Sequence, residues 1–284
     1  MPRVSWRSRL QVALRHPRAL AWSIFLAFSA LWTVADPLIS LVHPKWLSGF
    51  PQFLLILALG VLLGFVARLP KLRVDIPVKN ISTRLQVVFG DLFDQAGDKA
   101  ISVGEFFDSE LGPPVSPESL HGIFIQRMYN GQSKGFEQSV DRGLESVPYE
   151  QVQRQRGRTR RYPIGTTSVV TGLPGDARYY LFALCHANPQ TLKAEADVPD
   201  LWLALSGLWD AVRVSSGGRD VNVPLVGSGL AQMRLPAQQL LRIMLMSVVA
   251  KAKSAEITSG TIRIVVHPSK FGDVDIDSLW CEWS

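Results

Sequence analysis

Cysteine is scarce in this chain. The two residues, Cys185 and Cys281, have no metal-type spacing, and a chain of 284 residues needs no disulfide to hold a core. Both are read as reduced, structural thiols. The five histidines, at 16, 43, 121, 186 and 267, are scattered. No GxxxxGK(S/T), HExxH or CxxC motif occurs, so P-loop hydrolysis and zinc-protease chemistry have no support. Gly-Ser-Gly-Leu-Ala-Gln at 227–232 lacks the third glycine of the dinucleotide fingerprint, and Ser228 lacks the spacing of a nucleophile elbow. Internal repeats and low-complexity tracts are missing too. Charged residues make up only 19%. With a mean hydropathy of +0.13 that excludes a disordered chain and points to a membrane segment.

The formal charge of +6 is unevenly placed. Residues 1–67 hold Arg3, Arg7, Arg9, Arg15, Arg18 and Lys45 against one acid, Asp36, which leaves the rest of the chain almost neutral. A general polyanion-binding face is therefore not expected there, and nucleic acid is not an expected partner.

From Ala19 to Ala35 there is no charge, and the apolar character continues to Val42; a second apolar stretch runs from 50 to 67. As a helix the second spans about 27 Å, close to the thickness of a bilayer's hydrocarbon core. The expected organisation is a basic N-terminus (1–18), a transmembrane hairpin (19–68, spans 19–42 and 50–67), a connector (69–80) and a folded domain (81–284). Five arginines precede the first span, and Arg68, Lys71 and Arg73 follow the second, so both ends are expected in the cytosol. Gly60 and Gly64 form a GxxxG, which lets a neighbouring backbone approach closely and makes self-association of the helices an expectation. Asp36, beside Pro37 at the far end of its span, reads as an interfacial carboxylate.

In the folded domain, 84–89 and 100–107 read as buried strands. A helix follows with Ser116 as N-cap and Leu120, Ile123, Phe124 and Met128 on one face; Phe136, Val140 and Leu144 mark another. Residues 162–170 and 178–186 read as strands, Leu201 to Val212 as a helix starting after Asp200, 221–226 as a strand, and Pro236 as the opening of a helix with Leu240, Leu241, Met244, Leu245 and Val248 inward. A last strand covers 261–266. This interleaving gives an α/β class, helices on both faces of a mixed sheet.

Gln151 to Arg161 carries Arg154, Arg156, Arg158, Arg160 and Arg161 with no acid. A solvated loop or exposed ribbon and attraction to anionic lipid headgroups are both open readings.

Two loops could carry ligand chemistry. Val-Pro-Leu-Val-Gly-Ser-Gly-Leu at 223–230 runs from a strand into a glycine pair before a helix, where backbone N–H groups can hold a pyrophosphate without side-chain charge; a plain tight turn is the alternative. Asp91, after the first strand, can accept from an adenine amino group or simply close an Asx turn.

An acid after the first strand and a Gly-Ser-Gly loop after a late one resemble the macro domain, an ADP-ribose-binding module. With Ser-Leu-His-Gly at 119–122, Tyr-Pro-Ile-Gly-Thr-Thr at 162–167 and the 223–230 loop behind a double span, the chain resembles the membrane-anchored macro-domain effectors of type II Thoeris anti-phage systems, the ThsA family. The resemblance implies an α/β/α sandwich that binds an ADP-ribose-derived signal, histidine-ADP-ribose made from NAD by a TIR-domain partner. It also implies ligand-induced homo-oligomers that disrupt the membrane and abort infection.

The same resemblance puts adenine recognition at Asp91 and Leu92, and diphosphate binding at Gly227, Ser228, Gly229 and Leu230. A second binding loop falls at Gly104, Glu105, Phe106, Phe107 and Asp108, with Ser119 and His121 near the distal ribose; His121 can equally be structural. De-ADP-ribosylating macro domains carry an asparagine-rich run where this chain has Val-Gly-Glu-Phe-Phe-Asp (103–108), so sensing is expected rather than hydrolysis, with no catalytic residue, metal or cofactor. Glu105, Asp108 and Glu110 are expected to meet the cationic end of a histidyl ligand.

Overall fold

The computed structural model describes residues 4–42, 49–78, 82–227, 233–254 and 260–283. The chain forms two compact units, Val4–Leu72 and the part from Arg73 onward.

The first unit is helical: α1 (Trp6–Leu14), α2 (Pro17–Val42) and α3 (Phe50–Ala67). The basic N-terminus is thus partly a helix, capped where the Ser5 side chain accepts from Ser8 N at 3.1 Å. Pro17–Leu38 and Phe50–Ala67 are long and apolar enough to cross a membrane. Gln52, Ile56, Gly60 and Gly64 recur every four residues and form the buried stripe of α3. A Cβ on Gly60 would lie 2.9 Å from Phe28 Cα, and one on Gly64 2.5 Å from Ile24 Cα. The glycines therefore admit the backbone of α2, and the expectation that this face pairs with another copy is corrected: the same chain occupies it. Asp36 accepts from Gln52 Nε2 at 3.1 Å, so the carboxylate is partnered across the hairpin. The outward residues, Trp22, Phe25 and Leu26 on α2 and Leu55, Leu62 and Leu63 on α3, are exposed, the apolar skin a bilayer requires.

The second unit is built on a sheet of eight strands. These are β1 (Arg73–Ile76), β2 (Arg84–Phe89), β3 (Asp98–Gly104), β6 (Thr167–Val170), β7 (Tyr179–Ala187), β8 (Ala194–Glu195), β9 (Val221–Pro224) and β10 (Thr261–Val266). The order is β1-β2-β10-β9-β3-β7-β6, with β8 added to the end of β7. The five central strands from β2 to β7 are mutually parallel, whereas β1 and β6 run antiparallel at the edges. The stretch read as a connector thus contains the edge strand β1, whose Val74 and Ile76 are buried. A separate hairpin pairs β4 (Glu150–Gln151) with β5 (Arg160–Arg161).

Strand parity explains the layers. Ile101, Val103, Tyr179, Leu181 and Ala183 join Phe124, Phe136, Val140 and Leu144 in one core, so α4 (Leu120–Tyr129) and α5 (Ser133–Leu144) cover that face. Tyr180, Phe182 and Leu184 point the other way and are fully buried, on the side where α6 (Val198–Ser215) packs on β7. There α7 (Ala237–Ser254) packs on α6, and Trp209 Nε1 donates to Ser247 Oγ at 3.0 Å. The short α8 (Asp277–Trp283) packs beside β1. The mixed sheet between helical layers is the expected architecture.

Several boundaries differ from the expectation, three of them near the site described below. The cap of α4 is Ser119, whose Oγ accepts from Gly122 N at 2.9 Å; Ser116 instead closes the turn before it, accepting at its carbonyl from Ser119 Oγ at 2.6 Å. The strand expected over 100–107 ends at Gly104, where its register with β7 shifts. Within 162–170, Gly165 at φ 91° and a turn separate β5 from β6.

Candidate functional site

The sheet opens in its middle, and the opening is set by a few hydrogen bonds. β3 and β9 pair only at their first residues, Asp98 with Val221 and Lys99 with Asn222. Asn222 holds that end: its Nδ2 donates to Ala96 O at 2.8 Å and Asp98 O at 2.9 Å, and its Oδ1 accepts from Arg263 Nη1 at 2.6 Å. Farther along, each strand keeps to its outer neighbour, Leu225 N donating to Val265 O and Glu105 N to Cys185 O, both at 2.9 Å. The carboxyl ends therefore diverge, the place where an open parallel sheet takes its ligands.

A cavity of about 420 Å³ fills this opening. Ser102 to Gly104 of β3 and Cys185 and Ala187 of β7 line it on one side, and Pro224 to Gly227 on another. The segment from Pro113 to His121 forms a third wall, and Leu192 of the β7–β8 turn and Ala194 of β8 close the rim. The wall is folded locally by Gly112 N donating to Val115 O at 3.0 Å and by the Ser119 cap.

Five of the expected residues meet here: Gly104, Asp108, Ser119, His121 and Gly227. Gly227 sits at φ 82°, and a Cβ there would lie 2.7 Å from Met233 Sδ, so backbone conformation and packing both demand glycine. Ser228, Gly229 and Leu230 lie outside the described residues. Asp91 and Leu92 do not line the cavity. Asp91 Oδ1 accepts from Phe93 N at 2.9 Å, an Asx turn, and Oδ2 stands 3.7 Å from Arg127 Nη2; the Leu92 side chain belongs to the core. Phe106 and Phe107 are fully buried and lie outside the lining, which corrects their placement as ligand contacts.

The three acids expected to meet a cationic ligand group are bound by the protein's own cations. Glu105, buried, accepts from Ala187 N at 3.1 Å through Oε1 and meets His186 Nδ1 at 2.9 Å through Oε2, with Arg161 Nε 3.6 Å away. Asp108 accepts from Arg154 Nη1 at 2.9 and 3.1 Å and from Arg158 N at 2.8 Å. Glu110 pairs with Arg156 Nη2 at 3.0 Å on the surface. The reading of the acids is thereby corrected. The basic stretch forms the β4–β5 ribbon, with Arg156 and Arg160 exposed as the ribbon reading expected, while Arg154 and Arg158 turn inward and charge complementarity folds the hairpin onto the 105–110 loop. Arg158 also pairs with Asp141, and Arg161 with Glu150 at 3.0 Å.

Proton affinities follow from these surroundings. Burial of His121 pushes its imidazole down to about 3, so it lines the cavity as a neutral ring, packed 5.3 Å from the Phe136 ring. Burial, aided by Asp200 and Glu105, pushes the Cys185 thiol up to about 12, which makes it an inert lining group as its structural reading requires. At His186 burial opposes the charge, but Glu105 and Asp200 outweigh it and raise the imidazole above its usual value. No cluster of three or more metal-ligating side chains occurs among the described residues.

Sequence reasoning missed Ser102, Cys185, Ala187, Leu192 and the wall from Pro113 to Ser116. The wall had a signal: Gly-Pro-Pro at 112–114 between a strand and a capped helix is turn chemistry. Cys185 and Leu192 had none, since they reach the cavity only through strand order.

A family model described as the macro domain of the Thoeris protein ThsA matches residues 85–267. Among solved structures, the chain is similar to the Oceanobacillus iheyensis macrodomain with ADP, at 12% identity over 74% of this chain and 93% of that one, with a TM-score of 0.47. The same macrodomain with MES bound gives 12% identity over 74% and 94%, with a TM-score of 0.48. The Trypanosoma brucei macrodomain in complex with ADP-ribose gives 8% identity over 70% and 68%, with a TM-score of 0.45. No curated protein matches. The family match runs from the start of β2 to just past β10 and covers more than half of the sequence, so the chain belongs to the ThsA macro-domain family.

Proposed function

We propose that this protein is a membrane-anchored anti-phage effector whose macro domain senses an ADP-ribose-derived nucleotide, histidine-ADP-ribose made by a TIR-domain enzyme. The carrying observation is the cavity at the divergent carboxyl ends of β3 and β9, in a domain of the ThsA family. Its volume, about 420 Å³, lies within the range of small-ligand sites, and its wall at Gly227 leads into the glycine pair suited to a diphosphate. Ser119 and His121 are assigned to the distal ribose, where a neutral imidazole can hydrogen-bond a hydroxyl group.

The anchor is the α2–α3 hairpin in the inner membrane, with both termini cytosolic by its flanking arginines. Ligand binding shifts the population toward self-associated protein, and the assembled hairpins disrupt the bilayer and arrest the cell. Because Gly60 and Gly64 already hold α2, self-association uses other faces. Sensing is favoured over catalysis because the ionisable groups His121 and Cys185 are held neutral in the cavity and Asp108 is engaged by arginine.

Calorimetric titration of the detergent-solubilised full chain with ADP-ribose, histidine-ADP-ribose and NAD tests the reading. Binding of an ADP-ribose derivative without turnover is expected. Absence of binding to all three would overturn it, and release of ADP-ribose from a modified protein would replace sensing with hydrolysis.

A further inference from the structure

We propose that the 150–161 hairpin is a strap that fixes the 104–110 edge of the cavity, with Asp108 and Arg154 as positioning residues rather than ligand contacts. The inference rests on the cleft being the nucleotide site proposed above.

Asp108 is the point where the strap meets the cavity, since it lines the cavity while its carboxylate faces the hairpin. The Arg154 side chain is completely buried, with its guanidinium 3.8 Å from the centre of the Phe106 ring. Besides both Asp108 oxygens, its Nη1 donates to Arg158 O at 2.8 Å, so one guanidinium closes the hairpin and grips the loop. Gly157, at φ 82°, is the turn that allows this, because a Cβ there would strike Asp108 Oδ1.

Between the gripped points lies Phe107, at φ 50°, a left-handed conformation that a bulky residue adopts only when its surroundings impose it. The hairpin imposes it from two sides. Arg158 Nη1 donates to Phe107 O at 3.4 Å, and Tyr162, directly after β5, packs edge-on against the Phe107 ring at 5.5 Å. The strap thus holds a strained loop in one shape before ligand arrives, which removes an ordering penalty from binding. It also cancels the charge of Asp108 at a wall that would otherwise repel a diphosphate.

The test uses the full-length protein in detergent, hydrogen exchange of the 105–110 amides without ligand, and titration with ADP-ribose. Asp108→Asn loses the charge-assisted grip, so exchange of these amides should rise about tenfold and ADP-ribose affinity should fall about tenfold. Arg154→Lys keeps one charged contact and should lie between that variant and the wild type. Arg156→Ala, which removes an exposed ion pair with Glu110, should match the wild type in both measurements.

Unchanged exchange and affinity in Asp108→Asn and Arg154→Lys would overturn the inference. So would a general rise in exchange that includes β10 while affinity stays constant, since that is the signature of a merely structural pair. If the wild type binds no ADP-ribose derivative, the proposed function fails, and the unliganded exchange of 105–110 alone decides the strap.

Discussion

Replacing Glu105 separates a structural carboxylate from a ligand-facing one. Its Oε1 accepts from Ala187 N and its Oε2 meets His186 Nδ1, so it joins the end of β3 to the end of β7 below the cavity rim. Glu105→Ala leaves the Ala187 N–H without its acceptor and leaves Arg161 and His186 with only Glu150 and Asp200 as counter-ions. The cations left behind are partly exposed, so the cost is that of the lost charge-assisted hydrogen bonds and the orphaned Ala187 N–H, about 2–3 kcal/mol. At about 2–4 °C per kcal/mol for a domain of this size, the melting temperature should drop by about 4–12 °C.

Glu105→Gln keeps an acceptor for Ala187 N and should cost about 1–2 kcal/mol. The pH dependence provides an internal check. Because the His186 pKa is raised in the folded state, its stabilisation is present below the unfolded value and is lost as pH rises through the folded one. The gap between wild type and Glu105→Gln should therefore be larger at pH 6 than at pH 9. The assay is thermal unfolding of the full chain in detergent, with hydrogen exchange of β7 locating the loss. An unchanged melting temperature combined with lost nucleotide affinity would refute the reasoning, because it would mean that Glu105 faces the ligand.

Three further outcomes are expected. Gly64→Val forces a side chain against Ile24 Cα, and the resulting overpacking, about 1–3 kcal/mol, should separate the helical hairpin; unaltered crosslinking between cysteines placed on α2 and α3 would contradict this. His121 binds a proton in the unfolded chain near pH 6.5 but in the folded protein only near 3, so stability should fall as pH is lowered through that window, by up to about 1.4 kcal/mol per pH unit. Denaturant titrations of wild type and His121→Phe at pH 5 and 7 check this, the variant showing the shallower slope. Gly227→Ala places a Cβ against Met233 and strains a backbone at φ 82°, so both stability and ADP-ribose affinity should fall by about 1–3 kcal/mol, measured by melting and calorimetry.

Local chemistry accounts for much of what the amino-acid order foretold. Uncharged apolar stretches of about 18 residues or more have the length of a spanning helix, so α2 and α3 could be placed by length. Strands such as 84–89 and 261–266 were legible because they are rich in valine, isoleucine and phenylalanine, with single polar residues, Gln86 and Arg263, between the apolar ones. Gly227 was found through turn chemistry, which depends on near neighbours in the chain, whereas the helix cap was expected three residues early, at Ser116, and Ser119 came from the family resemblance.

What depended on distant partners came only from the fold. Asp108 and Arg154 are separated by 46 residues, and no property of either stretch alone reveals that they neutralise one another. A charge read in sequence looks solvated or ligand-facing until its counter-ion is located, which is why the acidic loop was assigned to a ligand and the basic run was left open between a solvated ribbon and a lipid surface. The cavity likewise arises because β3 and β9 pair at one end and part at the other, a relation between strands more than 100 residues apart. Gly60 and Gly64 marked a close helix contact, but only the hairpin's own packing decided that the neighbour was α2. Sequence specifies which groups need partners; the closure of the chain decides which partners they receive.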